Sequence, residues 1–515
     1  MSETYNGADS GAIAHGKLSA AVLPATTWQP TSSARNAGGS AAALPPARGD
    51  SASPGSALAP YTGFPLSYRE VRKLRDRLVE ILSSDRDYQR LPEADKRQRG
   101  RAEIEQLVSA WVNDFSASER RPIHPTESTA YARAVFDLQY LAGRLQKYLD
   151  DEGVENIFIN GPRHVYLDRG DGPKQRVEPI ADDEEELIEV FQELARRHGG
   201  NERQLSRANP LLSMRLNDGS RVQIITDASP EPFITIRRHR TRNVTLDDLC
   251  NLGMIDTTIM AFLRAAVRAR LNVMVVGSQA VGKTSLMRAL IAEIPVDERF
   301  ATLESEFELY IHEDGLHEQV VPLEMRQGNG EVIDGRALGE ITLADLIPPA
   351  LRMSLDRLIV GEVRTEEVLP MLDAMINSEG GSMCTLHVRR PEGTFRRLAA
   401  LCKRYSTMDT DLAFETIADA LDLVVHVRKW DETAIGGRRH RFVSEILEVA
   451  GIGEGHRPAA NRIFAPRPGE PRAVPHTTMS PRLRGVLELA GFKSHWLDNK
   501  SGTWTAPLGT LTEVI

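Results

Sequence analysis

A glycine-rich segment with the pattern Gly-x4-Gly-Lys-[Ser/Thr] limits the possible folds of this chain more than any other part of its sequence. An apolar run over 273–276 precedes it, and helix-forming residues from Leu286 onward follow it. Glycines allow backbone N–H groups to surround phosphate oxygens, and the amino-terminal end of the following helix attracts the same anion. The pattern therefore predicts a strand, a phosphate-binding loop and a helix. The predicted loop consists of Gly277, Ser278, Gln279, Ala280, Val281, Gly282, Lys283, Thr284 and Ser285.

Two side chains of this loop and one acid further along the chain carry the expected chemistry. Lys283 is expected to reach the β- and γ-phosphates of a nucleotide, and the Thr284 hydroxyl to bind Mg²⁺. Such a loop needs an acid at the end of a neighbouring strand, and the apolar run over 357–360 leads into Gly361-Glu362. Glu362 is therefore predicted to polarise the attacking water. A chance glycine pattern and an exposed acid after an edge strand are the plainer alternatives.

Composition and charge exclude several classes of protein. The 515 residues include only three cysteines, too few and too scattered for a disulfide framework or a Cys-x-x-Cys zinc site. The formal charge of −9 argues against a direct grip on nucleic acid. The sequence contains neither an apolar run approaching the roughly 20 residues of a membrane span nor a secretory signal, so we expect a cytoplasmic protein.

Changes in composition along the chain predict five segments. Residues 1–64 are rich in Ala, Gly, Ser and Pro and are expected to be disordered. Residues 65–150 are charged and helical, and 151–245 are predicted to form a small α/β module of PAS-like type. Over 251–451, helices alternate with apolar β-rich runs, which is typical of a parallel sheet covered on both faces. Residues 452–515 are interpreted as a C-terminal tail.

Hydrophobic periodicity places individual elements within these segments. The stripe Val71, Leu74, Leu78 and Leu82, for example, lies on one face of a helix. Helices are predicted over 68–82, 128–148, 182–198 and 481–490, strands over 156–159, 164–167, 222–225 and 233–237, and a loop over 465–471.

Several blocks occur in an order that resembles the secretion and pilus ATPases of type II and type IV systems, and among them the Tad/CpaF branch. The resemblance extends from about Leu138 to Gly451 and does not depend on the phosphate loop alone. The blocks are LNDGSRV at 216–222, FITIRR at 233–238, ATLES at 301–305 with Glu308 following, LRMSLDR at 351–357, GEVR at 361–364 and GSMCTLH at 381–387.

The resemblance implies roles for four further side chains. Glu304 is similar to an acidic-box carboxylate that acts near the γ-phosphate or metal, and His387 to a histidine that senses the γ-phosphate. Arg221 and Arg237 are similar to arginines of the smaller module that close over the nucleotide and neutralise transition-state charge. Because strand alternation puts Arg237 and Arg238 on opposite faces, only one can face the nucleotide, and Arg237 is favoured.

The resemblance also implies an architecture and an activity. The expected fold is α/β, with a RecA-like P-loop ATPase domain preceded by the small module and a helical segment. The expected reaction is hydrolysis of ATP to ADP and phosphate with Mg²⁺, in a homo-oligomeric ring, expected to be a hexamer. The partners would be inner-membrane platform proteins of a secretion or pilus system, at the cytoplasmic face of that membrane.

This sequence departs from the family pattern at two notable positions, which leave alternative functions open. Ser305 stands where the family usually has Asp, and Glu379 where another histidine is common. These departures motivate a nucleotide-binding assembly scaffold with little hydrolysis as one alternative. A conjugation-type motor that moves DNA–protein complexes is another.

Overall fold

The structure is a computed structural model of the 515-residue chain. It describes residues 66–198, 205–207, 209–238, 243–326, 328, 332–333 and 336–511. The segment 1–64, predicted to be disordered, lies outside the described residues. Within the described ranges, no helix is both long and apolar enough to cross a membrane.

The first described part of the chain is helical, as predicted. The apolar stripe of α1 is confirmed, because Val71, Leu74, Leu78 and Leu82 are all buried. The helix predicted over 128–148 is interrupted instead, since α4 ends before Gly143, which adopts a left-handed φ of 55°. The helices are α1 (Tyr68–Ser84), α2 (Arg86–Gln89), α3 (Glu93–Glu119), α4 (Pro125–Tyr140) and α5 (Gln146–Leu149).

A six-stranded antiparallel sheet with one long helix follows, in the strand order β3-β2-β1-β6-β5-β4. Alternate side chains such as Ile157, Ile159, Ile234 and Ile236 are buried in its apolar core. The four predicted strands and the predicted helix are present, and the short β3 and β4 were not predicted. The elements are β1 (Asn156–Asn160), β2 (His164–Asp168), β3 (Gln175–Val177), α6 (Glu184–His198), β4 (Leu211–Arg215), β5 (Arg221–Ile225) and β6 (Phe233–Arg237). We call this part the small module.

The remaining described residues surround a nine-stranded sheet of order β17-β16-β15-β14-β7-β13-β12-β8-β9. Its strands are β7 (Val273–Gly277), β8 (Phe300–Glu304), β9 (Val320–Glu324), β12 (Arg357–Val363), β13 (Met383–His387), β14 (Leu423–Asp431), β15 (Arg439–Ile452), β16 (Pro458–Arg467) and β17 (Glu470–Pro475). A separate two-stranded hairpin contains β10 (Val332–Ile333) and β11 (Arg336–Ala337). The helices are α7 (Leu246–Asn251), α8 (Thr257–Arg268), α9 (Lys283–Ile291), α10 (Leu343–Leu351), α11 (Val368–Asn377), α12 (Gly393–Tyr405), α13 (Thr410–Ala420) and α14 (Pro481–Leu489).

Helices cover both faces of this sheet. In β7, Val273 and Val275 belong to one apolar cluster, while Met274 and Val276 belong to another. A strand buried on both faces is what the continuous apolar run before the glycine loop predicts. The fold is a RecA-like α/β domain, in which parallel strands of order β14-β7-β13-β12-β8 put the phosphate-loop strand in the middle of the sheet.

Two expectations about this sheet are corrected. It is mixed rather than purely parallel, because β15, β16 and β17 pair antiparallel. The loop predicted over 465–471 is wrong, since this segment contains the end of β16, a turn and the start of β17. Pro466 lies at an irregularity in the strand register and Pro471 on an edge strand, the two places where a sheet tolerates proline. The predicted C-terminal helix is confirmed as α14.

Candidate nucleotide site

The glycine loop forms the predicted strand–loop–helix unit. β7 ends at Gly277 and α9 begins at Lys283, so the loop backbone meets the amino-terminal end of a helix. A Cβ atom on Gly277 would lie 2.4 Å from the carbonyl oxygen of Val427, so only glycine fits there. Gly282 has a φ of 100°, which side chains rarely adopt. All nine predicted loop residues except Gly277 and Ser278 line one cavity of about 230 Å³.

The sheet topology brings the predicted acid and histidine to this loop. Glu304 ends β8, Glu362 lies near the end of β12 and His387 ends β13. The carboxyl ends of parallel strands meet at one edge of a sheet, and these three side chains line the same cavity as the loop. The pairing of β12 with β13 is irregular between Val360 and Val363, and Glu362 lies within this irregular stretch.

A chain of polar contacts joins the loop to the predicted catalytic acid. Lys283 Nζ lies 3.2 Å from His387 Nδ1, and because an ammonium group can only donate, the imidazole proton belongs on Nε2. His387 Nε2 lies 2.8 Å from Glu362 Oε1, so the proton on this nitrogen faces the carboxylate. Arg364 donates to the other carboxylate oxygen of Glu362 at 2.5 Å.

Burial and these contacts set the charge states at the loop. Burial lowers the pKa of Lys283 to about 8, although the negative charges of Glu362 and Glu308 oppose the shift. Burial alone would raise the pKa of Glu362, but the contacts with His387 and Arg364 outweigh it and lower the pKa to about 2. Glu362 is therefore ionised at neutral pH, as a group that orients or deprotonates water must be.

Glu304 is almost completely buried and holds the chain that follows β8. Its Oε2 accepts the backbone N–H groups of Glu308 and Leu309, both at 2.8 Å. Its Oε1 has no hydrogen-bond partner among the described residues. Burial raises the pKa of Glu304 to about 7, against the lowering effect of the two backbone N–H groups. This carboxyl group is thus poised between its neutral and ionised forms.

The small module presents a row of arginines to the acids that follow β8. Arg215 lies directly opposite Arg221 on the neighbouring strand, and Arg221 lies directly opposite Arg237. Directly opposite residues share a face of the sheet. Because Ile234 and Ile236 are buried in the module, the alternating Arg237 is on its outer face. We call Arg215, Arg221 and Arg237 the arginine row.

Each member of the arginine row pairs with an acid of the RecA-like domain. Arg221 forms ion pairs with Glu306 and Glu308, and Arg237 lies 3.4 Å from Glu308. Arg215 on β4 pairs with Glu324 on β9. Arg221 and Arg237, the two arginines predicted to contact a nucleotide, therefore both face the acids that follow β8. Arg237 lines the cavity, whereas Arg221 reaches it through its acidic partners.

Arg238, the disfavoured member of the arginine pair, also borders the cavity. Its guanidinium group donates to the backbone carbonyl groups of Asp151 and Val154, both in the small module. It is thus tied to its own module, while Arg237 pairs with an acid across the cleft. The preference for Arg237 as the nucleotide contact remains a prediction.

Several cavity residues were given no role by sequence reasoning, and Glu308, Arg364 and Arg441 are three of them. Glu308 and Arg364 stand within or beside the recognised blocks, but neither block indicates their contacts. Arg441 has no sequence signal at all, since it lies 161 positions beyond Ala280, the loop residue that it contacts. Its guanidinium group donates to the carbonyl of Ala280 at 3.3 Å and to Glu155 of the small module.

The two departures from the family pattern occupy different places. Ser305 lines the cavity, so the missing carboxylate concerns the site itself. Glu379 is exposed in the turn before β13, at the opposite end of that strand from His387. Within this chain, the glutamate at that position is therefore not part of the cavity.

Comparison with known proteins identifies the family. A family model described as "Type II/IV secretion system protein" matches residues 142–444, more than half of the chain. The chain belongs to this family. The match begins after α4 and ends within β15, so α1–α4 at one end and β16 and β17 at the other lie outside it.

Individual family members are moderately similar in sequence. A Mycobacterium tuberculosis protein, named for a suggested role in conjugal transfer, is 29% identical over 318 residues, covering 60% of this chain and 86% of that protein. Protein VirB11 of Agrobacterium fabrum is 28% identical over 340 residues, covering 61% and 92%. The solved VirB11 ATPase from the Brucella suis type IV secretion system, in complex with sulphate, is 26% identical and covers 59% of this chain and 92% of its own, with a TM-score of 0.31.

Proposed function

We propose that this chain is an ATP-hydrolysing motor of a bacterial secretion or pilus machine. The observation that carries the proposal is one cleft in which a phosphate loop, an ionised acid and arginines of a second module meet. Family membership supports the assignment to secretion. The VirB11 protein of Brucella suis is named an ATPase, which supports ATP as the substrate.

The residues at the cleft fit Mg²⁺ as the cofactor. Mg²⁺ prefers oxygen ligands and is usually held by one or two protein groups together with substrate phosphates. The Thr284 hydroxyl is at the start of α9, and the buried Oε1 of Glu304 has no partner among the described residues. No cluster of three or more metal-binding side chains occurs in the described ranges. When bound, Mg²⁺ would neutralise phosphate charge.

Each side chain then has a defined task in the proposed reaction. The loop N–H groups and Lys283 bind the phosphates, and Glu362 orients the attacking water and accepts its proton. Arg221 and Arg237 neutralise the charge that develops during phosphoryl transfer, a contribution of at least ~100-fold for a well-placed donor. His387, between Lys283 and Glu362, aligns the acid with the phosphate-binding lysine.

The proposed machine is of the Tad type, and the sequence blocks quoted above support this branch. The motor would form a hexameric ring and work with inner-membrane platform proteins at the cytoplasmic face, without direct contact to nucleic acid. A type IV conjugation motor is a second candidate, because one relative is named for conjugal transfer and another is VirB11. Co-purification of pilin-like or of conjugation components would discriminate between the two.

Phosphate release in the presence of Mg²⁺ tests the proposed activity. The wild type should release phosphate from ATP, while Lys283→Ala should lose nucleotide binding. Glu362→Gln should keep binding but release phosphate at least ~100-fold more slowly, because general base catalysis contributes 10²–10⁴. Equal background rates in all three proteins would reject the motor and favour a nucleotide-binding scaffold.

A further inference from the structure

Glu308 occupies the position at which the phosphate-binding groups converge. Its Oε2 accepts a hydrogen bond from the Thr284 hydroxyl at 3.2 Å. Its Oε1 forms an ion pair with Arg221 and lies 3.4 Å from Arg237. These three partners are the groups expected to contact Mg²⁺ and the γ-phosphate in the proposed reaction. The carboxylate of Glu308 thus already contacts the protein groups that are expected to bind the anionic substrate.

The backbone around Glu308 is fixed on both sides. Glu304 Oε2 accepts the N–H groups of Glu308 and Leu309, and Arg288 of α9 donates to the Glu308 carbonyl oxygen. The carboxylate is therefore presented to the cleft by an acid of β8 and a cation of the phosphate-loop helix. Its side chain is also largely buried, with 20% of its surface exposed.

We infer that Glu308 is a positioning residue that stands in for the phosphate before nucleotide binds. Its carboxylate holds Arg221 and Arg237 of the small module against Thr284 of the phosphate loop. Arriving phosphate takes over these partners and displaces the carboxylate, because two anions a few ångströms apart repel strongly in a partly buried site. The inference rests on the proposed function, since it requires that the cleft bind a nucleoside triphosphate.

A carboxylate that occupies the phosphate position lowers the apparent affinity of the site for nucleotide. The nucleotide binds only the fraction of molecules in which the arginines and Thr284 are released, so the apparent Kd rises as that fraction falls. Neutralising Glu308 should therefore tighten binding. A residue that only supported the fold would weaken binding when changed, so the direction of the effect separates the two roles.

The test is calorimetric binding of the non-hydrolysable analogue AMP-PNP with Mg²⁺ to the full chain. Glu308→Gln keeps the size of the side chain and removes its charge, and its Kd should fall about tenfold if the stand-in occupies roughly nine molecules in ten. Glu306→Gln is the matched control, because Glu306 also pairs with Arg221, whereas the Thr284 hydroxyl donates to Glu308. Its Kd should stay within about twofold of the wild type.

Two further measurements keep the outcome decisive. Glu308→Asp retains the charge on a shorter side chain, so its Kd should lie between those of the wild type and Glu308→Gln. In steady-state hydrolysis, Glu308→Gln should lower KM without raising kcat, since the arginines are freed but not improved. Circular dichroism should show that all three variants are folded.

The results that overturn the inference differ from those that overturn the proposed function. If AMP-PNP binds the wild type and not Lys283→Ala, but Glu308→Gln binds no more tightly than the wild type, the stand-in role is wrong and the nucleotide site stands. Equal tightening in Glu308→Gln and Glu306→Gln would also reject it, as a general charge effect. If the wild type and Lys283→Ala bind equally weakly, the proposed nucleotide site itself fails.

Discussion

In the proposed nucleotide site, Lys283 is the residue whose charge state sets how strongly the loop attracts phosphate. Its side chain is buried beside His387, and burial lowers its pKa to about 8 from an ordinary 10.5. In the nucleotide-free protein the ammonium form predominates below pH 8 and is lost above it. Phosphate favours the charged form, so binding above pH 8 requires uptake of a proton.

Nucleotide affinity should consequently fall as the pH rises. Between pH 8 and 9.5, the Kd for ADP should increase by up to about tenfold per pH unit, and it should change little between pH 6.5 and 7.5. Fluorescence titration with a labelled ADP measures this profile. Lys283→Arg is the control, because arginine stays charged throughout this range, and its profile should be flat. A flat profile for the wild type would contradict the lowered pKa.

At the residue scale, sequence reasoning found the side chains whose neighbours in the chain carry a signal. Lys283 and Thr284 belong to a short local pattern, and Glu362 follows an apolar run. The contacts of Glu308 and Arg441 could not be foreseen, since both depend on which strands lie side by side and on how the small module meets the loop.

The elements that sequence reasoning misjudged are those that tertiary packing stabilises against their local propensity. The proline-rich hairpin of β16 and β17 reads as a loop, yet its irregular register and edge position accommodate the prolines. By contrast, α1 and β7 were predicted correctly, because a stripe of apolar residues and a continuous apolar run specify their environments directly.

The C-terminal segment is part of the core rather than a tail, and one substitution tests this. Phe492 is 2% exposed and its ring lies 5.5 Å from that of Phe262 on α8, which also contacts Phe464 on β16. Phe492→Ala should lower the free energy of unfolding by about 3–5 kcal/mol, through lost burial and a cavity. Urea denaturation measures the change.

A neighbouring residue serves as the control for that substitution. Leu489, at the end of α14, is 91% exposed. Leu489→Ala should change the free energy of unfolding by no more than about 0.5 kcal/mol. If both variants were equally stable, the segment would be a dispensable tail after all.

At the scale of the whole molecule, the candidate site is shared by two modules. The RecA-like domain supplies the loop and Glu362, and the small module supplies the arginine row and Glu155. Further ion pairs join the two modules, including Arg439 with Asp168 at 2.8 Å and Arg441 with Glu155 at 3.2 Å. In the proposed motor, movement of the small module changes the position of the arginines relative to the phosphates and so couples nucleotide turnover to work.

The general architecture could be predicted from the sequence, because the alternation of helices and strands and the glycine loop are strong signals. The small module could also be predicted from periodicity and composition, and the ordered family blocks added the roles of its arginines. Two features could not be predicted from the sequence, because they depend on contacts between distant parts of the chain. They are the antiparallel edge strands and the pairing of the arginine row with acids after β8.

Comparing Arg237→Ala with Arg238→Ala tests the shared site most directly. The two arginines are adjacent in the chain, but Arg237 faces Glu308 across the cleft while Arg238 binds carbonyl groups of its own module. In phosphate-release assays at saturating ATP, Arg237→Ala should be at least ~100-fold slower than the wild type, with ADP affinity nearly unchanged. Arg238→Ala should retain most of the rate. Equal rates for wild type and Arg237→Ala would contradict a catalytic site shared between the two modules.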